Sequence, residues 1–200
     1  MMSQTKTLRP AVFLDRDGVL IEEVGYLTRL EDVRFVPGAV NAVKLLNGTG
    51  FMTVVVTNQS GVARGYFGED HVRATHELIQ ARLAEQGARI DRFEYCPFHP
   101  TDGLGDYRCE SFDRKPHPGM LLRAAAELGI DLGQSWLIGD RLSDIEAGFA
   151  SGCRGAFLVR TGYGSQVELP TDSQARVVPS VVEAVEKILN GKETIHRRGT

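Results

Sequence analysis

Ala11-Val12-Phe13-Leu14-Asp15-Arg16-Asp17-Gly18 is an apolar run that ends abruptly on charged residues and a glycine. A short continuous apolar run suits a strand buried on both faces of a parallel sheet, and it places Asp15 and Asp17 at the carboxyl end of that strand. Met52-Thr53-Val54-Val55-Val56 is a second run of this kind, β-branched and apolar on both faces. Between the two, Ala39, Val40, Val43 and Leu46 recur at helical spacing after Pro37-Gly38, and Gly48 and Gly50 end the pattern. Strand, helix and strand in this order make one βαβ unit.

The alternation continues along the chain. Val72, Ile79 and Leu83 mark a helix after Glu69, and residues 90–95 read as a strand. A long loop over 96–115 precedes a helix over 118–128, a strand over 135–138 and a helix over 143–150. A strand over 155–159, the run Arg176-Val177-Val178 and a helix over 180–189 complete the pattern. Strands alternating with helices predict an α/β fold, a doubly wound parallel sheet with helices on both faces. The expected organisation is a single domain over 1–190 followed by a polar tail over 191–200.

Composition narrows the function. With 200 residues, 42% hydrophobic and 24% charged, the chain has the make-up of a globular domain rather than a disordered or fibrous one. A net charge of −3, with Lys and Arg scattered, offers no footprint for nucleic acid. Residues 1–10 lack an apolar leader, and no stretch approaches the ~20 apolar residues of a membrane span. Three cysteines, Cys96, Cys109 and Cys153, argue against a disulfide framework. The expectation is a cytoplasmic monomer acting on a small molecule.

In an open α/β sheet, ligands bind beyond the carboxyl ends of the strands, so the residues after each apolar run carry the chemistry. These are Asp15 and Asp17, then Thr57-Asn58-Gln59-Ser60-Gly61, then Gly139-Asp140-Arg141, with Arg114-Lys115-Pro116 ahead of the helix that precedes the last of these strands. Asp15, Asp17 and Asp140 would converge, and neighbouring carboxylates stay ionised only beside a cation. Oxygen ligands and a phosphate substrate suit Mg2+. Thr57 and Lys115 can clamp phosphoryl oxygens electrostatically. With no Ser/His pair in evidence, the nucleophile is a carboxylate, Asp15, which passes through an acyl-phosphate. Asp17, two residues on, acts as general acid and then as base, an effect of about 10²–10⁴-fold.

At these residues the chain resembles the haloacid dehalogenase superfamily of phosphotransferases, whose four motifs match Asp15-Arg-Asp-Gly, Thr57-Asn-Gln, Lys115 and Gly139-Asp140. The longer words Val55-Val-Thr-Asn-Gln-Ser-Gly-Val-Ala-Arg-Gly and Arg114-Lys-Pro-His-Pro-Gly-Met are similar to the subgroup that dephosphorylates heptose 1,7-bisphosphate at its 7-phosphate and histidinol phosphate. The resemblance implies a Rossmann-like core with no large cap domain. It also implies that Glu23, Tyr26, Asn58, Arg114 and Arg141 contact a phosphorylated sugar, with arginine forks favouring the bisphosphate. Histidinol, another sugar or a polyol phosphate is the rival substrate class. A phospho-aspartate receiver is the rival outside enzymes, although such a module has no use for Asp17.

Many members of that subgroup carry a structural zinc in the loop before Arg-Lys-Pro. Here Phe98, Ser111 and Asp113 stand at ligand positions, so a zinc-free loop is expected; a rearranged site from Cys96, His99 and Cys109 with Asp113 is the alternative. His71, His76 and His196 read as surface histidines, and Asp144 reads equally as a helix cap or a metal ligand, and stays outside the expected metal set.

Overall fold

The computed structural model describes residues 7–196, so the first residues of the chain and the end of the expected tail lie outside it. Six strands form one sheet: β1 (Ala11–Leu14), β2 (Met52–Asn58), β3 (Arg92–Cys96), β4 (Trp136–Gly139), β5 (Gly155–Val159) and β6 (Arg176–Val178). All neighbours are parallel, in the order β3-β2-β1-β4-β5-β6. The helices are α1 (Ala39–Asn47), α2 (Ser60–Ala63), α3 (Glu69–Glu85), α4 (Gly119–Leu128), α5 (Leu142–Ala150) and α6 (Val181–His196). This is the doubly wound α/β fold that the alternation predicts.

Successive residues of a strand point to opposite faces, and β1 divides the core accordingly. Val12 and Leu14 join Leu46, Val55, Leu83 and Val185 on the face covered by α1, α3 and α6. Ala11 and Phe13 join Val54, Val56, Leu121 and Ile145 on the face covered by α4 and α5. Burying β1 on both faces fixes its register, and Leu14 pairs with Val55 on one side and Ile138 on the other. The strand order reverses direction beside β1, so the crevice between β1 and β4 opens where Asp15 and Asp140 emerge.

The connections 15–38 and 97–118 contain no helix beyond single 3-10 turns at Leu30–Asp32 and Gly105–Tyr107, so no cap domain is inserted at these two places. No helix among the described residues is long and apolar enough to cross a membrane.

Two elements differ from expectation. Residues 60–63 form a helical turn that carries too few residues to show a period. The last helix runs on to His196 instead of stopping near Leu189. Asn190-Gly191 resembles a stop signal, but a mid-helix glycine costs only about 1 kcal/mol. The buried face Val181, Ala184, Val185 and Ile188 anchors the preceding turns against the core.

Candidate active site

The crevice at the β1/β4 switch is built around one ammonium group. Lys115, only 3% exposed, donates from Nζ to Asp15 Oδ1 at 2.9 Å and to the Val56 carbonyl at 2.8 Å, and stands 2.6 Å from Asp144 Oδ1. Two of these contacts are hydrogen bonds and the third, to Asp144, is an ion pair. Asn58 brackets the same residue: its Nδ2 donates to the Lys115 carbonyl and its Oδ1 accepts the Lys115 amide, each at 3.0 Å. The side chain expected at the substrate therefore has its amide occupied in holding Lys115.

Asp15, Asp140 and Asp144 are all buried, and one carboxylate oxygen of each lies within 4.8 Å of the others. Burial pushes the Asp15 carboxyl up to about 7, with Lys115 opposing and the charges of Asp144 and Asp17 adding to the rise. Burial, then Asp15 and Asp144, push Asp140 up to about 8. Burial alone would lower Lys115, but Asp144 and Asp15 outweigh it and hold the ammonium above its usual range. One cation against three buried carboxylates leaves the site short of positive charge.

Asp140 shows where that charge fits. Its Oδ2 accepts the Tyr163 amide at 2.8 Å, whereas its Oδ1 is buried without a hydrogen-bond partner. A buried unpaired carboxylate oxygen among other carboxylates suits a hard divalent cation. Gly18 makes the close approach possible. With φ of +81°, it passes Asp140 so tightly that a Cβ there would lie 2.2 Å from Oδ2.

Asp144, excluded from the metal set on sequence grounds, is thus in the acidic cluster and also caps its helix, accepting the Arg141 amide at 2.9 Å. The signal was its place one helical turn after Asp140. Asp17 sits apart from that cluster in side-chain terms. Arg16 grips its carboxylate from Nε at 3.1 Å and Nη2 at 2.9 Å, and Gln59 Nε2 donates to it at 2.9 Å. Gln59 Nε2 also donates to Thr57 Oγ1 at 2.8 Å, which ties the threonine at the end of β2 to the same network.

Above these groups lies a polar cavity of about 490 Å³, lined by Asp15, Asp17, Thr57, Lys115 and Asp144 at its base. Glu23, Tyr26, Arg64, Arg114, Arg141 and Tyr163 also line it. Burial and the charge of Asp17 raise the Glu23 carboxyl, which accepts the Gly25 amide. The Arg141 guanidinium stacks 3.8 Å from the Tyr163 ring centroid, and Arg114 Nη1 donates to the Phe98 carbonyl at 3.0 Å. Arg64 was not foreseen as a lining residue; it pairs with Asp102 at 2.5 Å and lies over Tyr26.

The 96–115 loop is held by polar contacts. Arg123 joins Glu94 at 2.7 Å to Asp113 at 2.5 Å, and Tyr107 donates to Glu69 at 2.8 Å. Among the described residues, Cys96, His99 and Cys109 do not converge: Cys96 is buried, Cys109 is exposed and His99 Nδ1 accepts the Asp102 amide at 3.0 Å. His76 differs most from expectation. It is 7% exposed and sits against Arg16, because α3 turns it inward beside Phe93 and Tyr95.

Comparison with known proteins agrees with this geometry. The HAD-hydrolase-like family model matches residues 112–184. The chain is 46% identical over 163 residues to a D-glycero-D-manno-heptose-1,7-bisphosphate 7-phosphatase of Thermosynechococcus vestitus, covering 80% of this chain and 83% of that one. It is 39% identical over 185 residues to D-glycero-beta-D-manno-heptose-1,7-bisphosphate 7-phosphatase of Pasteurella multocida, covering 92% and 98%. The crystal structure of D,D-heptose 1,7-bisphosphate phosphatase from B. bronchiseptica, complexed with magnesium and phosphate, superposes with a TM-score of 0.79 at 32% identity, covering 91% and 99%.

Proposed function

The chain belongs to the haloacid dehalogenase-like phosphatases, which are phosphoric monoester hydrolases, and from that premise we propose that it removes the 7-phosphate of a heptose 1,7-bisphosphate through an aspartyl-phosphate on Asp15. The observation that carries the chemistry is the buried Asp15 carboxylate, fixed through Oδ1 by Lys115 amid excess negative charge. Asp15 and Asp140, with Asp144 close by, would hold Mg2+, while the Asp17 carboxylate is engaged by Arg16 and Gln59. The ion would supply the positive charge that lets these carboxylates and the substrate phosphate share one crevice.

In this reading, Asp15 Oδ1 is occupied by Lys115 and the Arg16 amide, so Oδ2 attacks phosphorus. The bond between phosphorus and the sugar oxygen breaks, its electron pair stays on that oxygen, and Asp17 supplies the proton. A water molecule then attacks the acyl-phosphate. Asp17 takes its proton, the bond from phosphorus to Asp15 breaks, and phosphate leaves with the carboxylate restored. Lys115 and the Thr57 hydroxyl stabilise the charge on the phosphoryl oxygens in both transfers.

The substrate assignment rests on the named relatives and on Arg64, Arg114 and Arg141 around the cavity, whose planar forks suit a second phosphate. Glu23 and Tyr26 border the same space and would contact the sugar. Phosphate release from heptose 1,7-bisphosphate, fructose 1,6-bisphosphate and histidinol phosphate tests this directly. The heptose bisphosphate is expected to have the largest kcat/KM; a larger value for histidinol phosphate would overturn the substrate assignment.

A further inference from the structure

Asp17 is held by Arg16, and Arg16 is held in turn by a histidine 60 residues away. The contact is Arg16 Nη1 to His76 Nε2 at 3.4 Å. A guanidinium has donors only, so the imidazole must accept there, and that requires a neutral ring with its proton on Nδ1. Both residues are buried, Arg16 at 2% exposure and His76 at 7%. The ring is clamped in place. It stacks on Phe93 with centroids 4.6 Å apart and 19° between planes, and meets Tyr95 edge-on at 5.8 Å. Burial, with the charge of Arg16, pushes the imidazole down to about 3, so it stays neutral at working pH.

The remaining guanidinium donors face the active site. Nε and Nη2 grip Asp17, and Nη2 also donates to Gln59 Oε1 at 2.9 Å. Gln59 closes the ring of contacts by donating to Asp17 and Thr57. His76 is thus the anchor of this network on the side away from the substrate. Without its lone pair, Nη1 becomes a buried unmet donor, and the guanidinium gains by turning toward another acceptor.

We propose that His76 is a positioning residue for leaving-group protonation: through the unprotonated Nε2 it fixes Arg16, and Arg16 with Gln59 aims the Asp17 carboxylate at the departing oxygen. This rests on Asp17 being the proton donor. A merely structural histidine would affect all substrates alike, whereas a donor-positioning one matters only where the leaving group needs a proton.

The test compares kcat/KM, which reports steps up to leaving-group departure, for heptose 1,7-bisphosphate and p-nitrophenyl phosphate. The sugar leaves as an alkoxide and needs the proton; p-nitrophenolate does not. His76→Phe keeps the stacking on Phe93 and removes the acceptor. Its kcat/KM should fall about 10-fold with the sugar bisphosphate and by less than about twofold with the aryl phosphate, while His76→Gln, which restores an acceptor, recovers most of the loss. Equal losses on both substrates, no loss on either, or a His76→Gln variant as impaired as His76→Phe would overturn the proposal. Asp17→Asn separates the two levels. If Asp17→Asn lacks leaving-group selectivity, Asp17 is not the donor and the underlying reading fails as well; if Asp17→Asn is selective and His76→Phe is not, only the role of His76 fails. Nitrogen-15 NMR of the wild-type protein adds a check independent of variant folding: an unprotonated Nε2 is expected, and a proton found there would overturn the proposal.

Discussion

Asp144 Oδ1 stands 2.6 Å from Lys115 Nζ in a site where both side chains are 1% exposed. The second carboxylate at Lys115 lets the lysine stay charged while Asp15 is left to react. Removing one member of a buried charged cluster leaves the other undercompensated. Asp144→Asn keeps an acceptor for the Arg141 amide and deletes only the charge. With magnesium bound, where the positive charge needs all three carboxylates, it is expected to lower stability by about 2 kcal/mol, seen in thermal unfolding as a fall of roughly 4–8 °C for a chain of this size. An unchanged midpoint would mean that Asp15 alone satisfies Lys115.

Magnesium affinity should depend on pH in a defined direction. Asp15 and Asp140, raised to about 7 and about 8 without metal, must lose their protons to act as ligands. Affinity is therefore expected to rise from pH 6 to about pH 8.5 and then level off, with protons released on binding. Calorimetry in buffers of different ionisation enthalpy measures both quantities.

Gly18 admits no side chain. A Cβ would lie 2.2 Å from Asp140 Oδ2 at a φ of +81°. Gly18→Ala should displace the Asp140 carboxylate and reduce kcat by about 100-fold or more, with a left-handed strain of about 1–3 kcal/mol visible in unfolding. Magnesium titration of the variant should show weakened binding in parallel.

His76 also gives stability a pH dependence. Its folded-state value, lowered to about 3, lies below the ordinary 6.5, so between these values the unfolded chain binds a proton that the folded one does not. Stability from this residue is complete above about pH 6.5 and is lost as pH falls, by at most about 1.4 kcal/mol per unit. Asp15 and Asp140, raised to about 7 and about 8, bind protons in the folded state over the same range and pull total stability the other way. The His76 contribution is therefore read as the difference between wild type and His76→Phe in denaturant unfolding, which should shrink from pH 7 to pH 5.

How much of this was legible in the sequence depends on the range of the interaction. β1 ends on Asp15 because an apolar run stops there, and β4 leads to Asp140 for the same reason, so strand-end reading finds the residues that share the crevice. Lys115 sits on a loop with no period of its own, and its motif had to identify it. The Asn58 bracket on Lys115 and the Arg16 partner of His76 were not legible because those partners are distant in sequence, and Asp144 was left open between a cap and a cluster position, both of which it fills. The Asn58 bracket on Lys115 spans 57 residues. His76 lies four residues after Val72 and three before Ile79, on the buried stripe of α3, so the period itself signalled its inward position and only its partner Arg16 was out of reach. The helical pattern of α3 names Val72, Ile79 and Leu83 as core and leaves His76 between them without a sign of its partner.

The central claim is that phosphate passes through Asp15. Asp17→Asn treated with p-nitrophenyl phosphate tests it most directly, because the good leaving group lets the first transfer proceed and the missing base slows the second. Acid quenching followed by mass spectrometry of the peptide containing Asp15 should find one phosphoryl group on that residue, accumulating before phosphate release. Phosphate release with no phosphorylated peptide at any time, or with the phosphoryl group on another residue, would contradict it.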